Sequence, residues 1–128
     1  CPETIKSLAK LMKERPDSRC SLAAQQLGGA TCQISKEMTS FIHRNAIWKP
    51  WITASWPPGD QISRDQSLKW LEKVWNILEP SCPGVHLAQL HPHLPWHKKE
   101  IDSAFNEFLP ELQKLKSSCD PNGLLPPL

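Results

Sequence analysis

Thirteen prolines in 128 residues limit the length of any helix this chain can form. A proline has no amide to donate, and its ring collides with the preceding turn, so it belongs at a helix start or just past an end. Here prolines gather at corners, across residues 50–58 and at the close of the chain, where short helices need stops. Between them the apolar residues follow a 3.6-residue period. Leu71, Val74, Trp75 and Leu78 make one stripe, ended by Pro80, Pro83 and Gly84. Val85, Leu87 and Leu90 give a second, short face, broken by Pro92 and Pro95. Ile101, Ala104, Phe105, Phe108 and Leu109 give a third, entered through the basic and aromatic turn Trp96-His97-Lys98-Lys99. The spacing predicts helix, turn, short helix, turn and longer helix over Leu71–Leu112.

The N-terminal third repeats this pattern. Ile5, Leu8, Leu11 and Met12 share one helical face, and Arg15-Pro16-Asp17-Ser18 forms a corner. Ser21–Leu27 reads as a short helix ended by Gly28-Gly29, and Ile34, Met38, Phe41 and Ile42 as a last helix beginning near Ser35. A slide of 63 residues sets Leu8 on Leu71, Leu11 on Val74 and Lys36-Glu37-Met38 on Lys99-Glu100-Ile101. The sequence therefore predicts a duplicated three-helix unit.

SLAAQQLGG…QISKEMTSFI and HLAQLHPHLPWHKKEIDSAF resemble, in their apolar spacing, the helix-turn-helix superfamily that includes winged-helix domains. That resemblance implies binding of duplex nucleic acid or of another protein, without catalysis. The chain departs from the winged pattern after its second unit, where only Lys114–Leu128 remains and ends in a proline-rich tail.

Two units of this size are each marginal alone and are expected to pack together. Hydrophobic residues at 39% with 22% charged are ordinary for a soluble protein and argue against disorder. A net charge of +2 is too small to announce a nucleic-acid binder in bulk, so any such role rests on placement. No run of apolar residues is long enough to span a bilayer. The five cysteines, Cys1, Cys20, Cys32, Cys82 and Cys119, include no CxxC pair. They read as reduced thiols of an intracellular, nuclear protein.

Placement singles out two sets of residues. In a helix-turn-helix the exposed side of the third helix enters the major groove. Lys36 is then set against a phosphate or guanine and Arg44 against a backbone phosphate, with His43 beside them. Lys98 and Lys99 begin the corresponding helix of the second unit, and His97 extends the patch. Free amides at a helix start favour phosphate already, but Glu100, Asp102, Glu107 and Glu111 oppose it there. The second set is Trp48, Trp51 and Trp56, in a connector whose Ile52 and Thr53 favour extended structure before the turn Pro57–Asp60. These tryptophans either cover a seam of the fold as a strap or form a wing, and one left exposed beside Lys49 would anchor a protein partner. Ser63 or Asp65 is expected to start the next helix.

His86, His91, His93 and His97 lack acidic or cysteine neighbours at ligand spacing, so no metal site is expected. No nucleophile motif or phosphate loop points to catalysis, and neither a cofactor nor a small-molecule substrate is expected. The sequence thus predicts an all-α protein, with a β-hairpin at most, of two helix-turn-helix-like units packed through a Trp-rich connector. The expected boundaries are 1–46, the connector 47–64, 65–116 and the tail 117–128. The expected role is a non-catalytic adaptor, engaging another protein with double-stranded DNA as a further partner and no membrane. A dedicated tandem duplex binder and a viral or secreted helical structural domain are the alternatives.

Overall fold

The computed structural model describes residues 2–85 and 97–125. Helix α1 spans Pro2–Lys13, strand β1 Ser21–Gln26, strand β2 Trp48–Thr53, helix α2 Gln61–Leu78, helix α3 His97–Phe105 and helix α4 Leu109–Cys119. Short 3-10 turns lie at Gly29–Gln33, Lys36–Met38, Glu79–Ser81 and Asn106–Phe108. The all-α expectation is thereby corrected: helices are joined by a two-stranded antiparallel sheet, and the chain is not a pair of three-helix units. The chain divides into two compact units, one of residues 1–28 and 46–82, the other of residues 29–45 and 83–128.

In the first unit, α1 carries Glu3 in its first turn and Lys10 and Lys13 in its last, charges that suit the helix dipole. Leu8, Leu11 and Met12 face the core. Pro16 ends the helical run, and Asp17 then accepts from Arg19 N, Nε and Nη2 at 2.8, 2.9 and 2.7 Å. This clamp turns the chain towards β1. Leucine, alanine and glutamine form helices readily, and helix was expected over Ser21–Leu27. The ladder with Trp48–Thr53, rich in aromatic and β-branched residues, overrides that weak local preference. The register runs from Ser21 opposite Thr53 to Gln26 opposite Trp48, and Leu22 and Ile52 pack against the core.

Asp60, not Ser63 or Asp65, starts α2. Its carboxylate accepts from Ser63 N at 2.9 Å and from the Ser63 hydroxyl at 2.6 Å, which satisfies a first-turn amide. Gly59 just before it holds φ at +77°, a left-handed turn residue that glycine adopts without strain. Along α2, Ser67, Trp70 and Val74 are buried. Cys20, Trp70 and Val74 form the centre of the core, and Leu71 and Leu78 pack around them. Two polar contacts fix this centre. Trp70 Nε1 donates to the Leu11 carbonyl at 2.8 Å, one of the last carbonyls of α1, which lack a partner within the helix. The Ser67 hydroxyl donates to the Ser55 carbonyl at 2.9 Å, and the Cys20 thiol lies 3.6 Å from the same oxygen.

In the second unit the helix expected around Met38 is a single 3-10 turn, Lys36–Met38, flanked by extended Ser35 and Thr39. Ile34 and Met38 remain exposed, so their helical spacing meets no surface to bury against among the described residues. Ala104 and Phe105 of α3 are buried. At Asn106 φ is +44°, and the chain bends there into Asn106–Phe108 and α4. At the end of α4 the Asp120 carboxylate takes three donors: Lys116 Nζ at 2.6 Å, Leu124 N at 2.7 Å and Leu125 N at 2.9 Å. The lysine ammonium and these amides hold its pKa down at about 2. The short helix expected over Val85–Leu90, and His86, His91 and His93, lie outside the described residues apart from Val85.

Candidate functional site

The residues set aside for nucleic acid fall in the second unit. Lys36, on its 3-10 turn, pairs with Glu107 at 2.5 Å, and that carboxylate raises the lysine pKa. The His43 imidazole lies 3.0 Å, through Nε2, from the Ser103 carbonyl in α3. Gly84 runs so close to this ring that an added Cβ would overlap it, so any larger residue there must displace the His43 ring. Arg44 turns back on its own loop. Its guanidinium donates to Thr31 O at 3.5 Å and to the Thr39 hydroxyl, and it stacks 5.0 Å from the centre of the Phe41 ring. Its Nε is buried with no acceptor among the described residues. Lys98 pairs with Asp102 at 3.0 Å, and Lys99 is exposed on the first turn of α3. His97 begins that helix, and its side chain lies outside the described residues. The structure therefore joins the 36–44 loop to α3 and its following turn through Lys36 and His43, and engages Arg44 within the loop.

The tryptophans fall in the first unit. Trp48 is 59% exposed at the start of β2. Trp51 lies on the face of the sheet opposite Leu22 and Ile52, since alternate residues of a strand point to opposite faces. Lys49 Nζ sits 4.5 Å from the centre of the Trp51 ring, an arrangement that shields one face of the indole. The Trp51 Nε1 donor is buried without an acceptor among the described residues. Trp56 packs under the Arg64 guanidinium, 5.9 Å from its ring.

Three features escaped sequence reasoning. The Cys20–Ser55–Ser67 cluster joins residues 35 and 47 positions apart, beyond any local pattern. The closeness of Gly84 to His43 is likewise a long-range contact. The Asp120 clamp had a local sign, since Asp120-Pro121-Asn122-Gly123 reads as a turn. Cys20, Cys32, Cys82 and Cys119 are unbridged, and burial pushes the Cys82 thiol pKa up. A thiol so raised is a poor nucleophile at neutral pH. Among the described residues, no cluster of histidine, cysteine and carboxylate could hold a metal ion, and no helix is long and apolar enough to cross a membrane. An open groove of about 370 Å³ runs between α1 and α2, lined by Ser7, Lys10, Leu11, Glu14, Lys73, Asn76 and Ile77.

Across 97% of its length the chain is similar to the uncharacterized FAD-linked oxidoreductase YgaK of Bacillus subtilis, with 24% identity over 135 aligned positions. The chain spans about 28% of that protein's length. No family model and no solved structure matches the chain.

Proposed function

We propose that this chain is part of an FAD-linked oxidoreductase, in which it forms a supporting and covering segment and does not itself cradle the nucleotide. The observation that carries this reading is the likeness to the Bacillus protein over 97% of the chain. The described residues do not fit FAD by themselves. A dinucleotide diphosphate is held by a glycine-rich turn that opens an α-helix, whose first amides face the phosphates. Here Gly28 and Gly29 lead into a five-residue 3-10 turn, Gly29–Gln33, and the groove on α1 and α2 is open and carries Glu14 beside its lysines. Flavin binding therefore falls to polypeptide outside these residues, and no step of the reaction is assigned to this chain. The product of the complete reading frame should purify with the visible absorbance of bound flavin, or take it up when FAD is added. A product that remains colourless and binds no FAD by equilibrium dialysis would sink this reading.

A second reading, the non-catalytic adaptor, draws on exposed Trp48 with exposed Ile47 beside it, an apolar pair suited to a protein partner. Its nucleic-acid branch requires duplex binding at about 50 mM salt, where phosphate contacts are strong. Fluorescence anisotropy showing none at that salt removes the DNA branch.

A further inference from the structure

The β1–β2 ribbon has two unlike edges. Leu27 N donates to Ile47 O at 2.7 Å, and this pair continues the register in which Gln25 faces Lys49, Ala23 faces Trp51 and Ser21 faces Thr53. Antiparallel pairs alternate between those that exchange hydrogen bonds and those that do not. Ser21, Ala23, Gln25 and Leu27 thus bond inward to β2, while Leu22, Ala24 and Gln26 turn their amides and carbonyls outward. On β2 the outward positions are Trp48, Pro50 and Ile52. Pro50 has no amide, so the β2 edge is blunted against further pairing. The β1 edge has neither proline nor charge in Ser21–Gln26, and its last four residues are exposed. Among the described residues the sheet has no third strand.

Proteins protect exposed sheet edges with lysine, proline or a cover. Only β2 carries such protection. We propose that the outer edge of β1 receives a third strand from polypeptide of the same protein beyond these 128 residues. This rests on the reading of the chain as part of a longer oxidoreductase, because the chain spans only about 28% of the relative's length. The incoming strand pairs with Leu22, Ala24 and Gln26 through its main chain. Its side chains beside Leu22 are apolar, and those beside Ala23 and Gln25 are small or neutral.

The test compares neighbouring amides within one molecule. In the product of the complete reading frame, hydrogen exchange at Ala23, Gln25 and Leu27 is slowed by β2 in any case and serves as the reference. A third strand slows Leu22, Ala24 and Gln26 to within about tenfold of those neighbours, whereas a free edge leaves them about a hundredfold or more faster, as for solvated backbone. Ala24→Pro removes an outward amide and no bond to β2, so it should lower the melting temperature by several degrees only where that amide is paired. Fast outward amides with an unchanged melting temperature overturn the proposal, even if the product binds flavin. Slow outward amides in a product without flavin would keep the third strand and discard the oxidoreductase reading. Protection that grows with protein concentration, together with a doubled mass in light scattering, assigns the edge to a second copy and overturns it. A reading frame no longer than the present chain overturns it too.

Discussion

The two units hold themselves together by different means. The first rests on apolar burial, with helical stripes from α1 and α2 meeting Leu22 and Ile52 around Cys20, Trp70 and Val74. Among the described residues of the second, only Ala104 and Phe105 are buried. Its 29–45 segment is tied by polar contacts from Lys36, His43 and Arg44. Apolar burial is non-directional and scales with area, whereas each polar tether needs its own geometry and contributes little when exposed. The first unit should therefore be weakened most by loss of volume, and the second by loss of fit.

Trp70→Ala is the largest expected effect. It removes a buried indole and leaves the Leu11 carbonyl without its donor, a loss of about 3–5 kcal/mol by analogy with other large-to-small core changes. Denaturant unfolding should show it as collapse of the first unit. A loss below about 1 kcal/mol, far under that range, would mean that burial is not what holds this unit. Gly84→Ala comes next and probes the second unit, since its methyl group meets the His43 ring. Forcing a methyl into a filled space costs about 1–3 kcal/mol. Adding His43→Ala should recover most of this loss, because neighbours that share a clash are not additive. If the double variant is no more stable than Gly84→Ala, fit to His43 is not the cause.

The smallest effect is confined to the end of α4. The Asp120 carboxyl has its pKa lowered from 3.8 to about 2 by Lys116, Leu125 and Leu124. A carboxylate held below its ordinary value stabilises the fold fully above that value, and the contribution fades as pH falls through the folded value. Amide exchange at Leu124 and Leu125 should therefore speed up between about pH 4 and pH 2 beyond its intrinsic pH dependence, as the pKa shift sets the window. Asp120→Asn should show faster exchange at neutral pH. Unchanged protection in both would separate the turn from its carboxylate.

The parts legible in the sequence were those with a local cause. Leu8, Leu11 and Met12, and Leu71, Val74 and Leu78, do line the core, because burial of one helical face leaves a 3.6-residue signature, whereas Ile5 of the first stripe is exposed and Trp75 of the second lies outside the core cluster. Ser21–Gln26 was illegible for the opposite reason, since its helix-forming residues take strand geometry from a partner more than twenty positions away. Ile34, Met38 and Phe41 also have helical spacing. However, the Thr39 hydroxyl accepts from Phe41 N at 3.3 Å, and such local side-chain bonds compete with helix. At the site, residue types were visible while their partners were not. Nothing local reveals that Lys36 meets Glu107, 71 residues on.

The hydrogen bond from Trp70 to Leu11 gives the molecule an optical reporter of its own. Trp70 is 4% exposed, whereas Trp48 is 59% exposed, so the two indoles emit from unlike surroundings. Emission from Trp70 depends on α1 staying docked, because Leu8, Leu11 and Met12 help to exclude water around it. Undocking of α1 would wet the ring and shift its emission to the red while leaving the Trp48 signal unchanged. Against the emission of the other five of its six tryptophans, a red shift of the Trp70 component would report detachment of the first helix without a label.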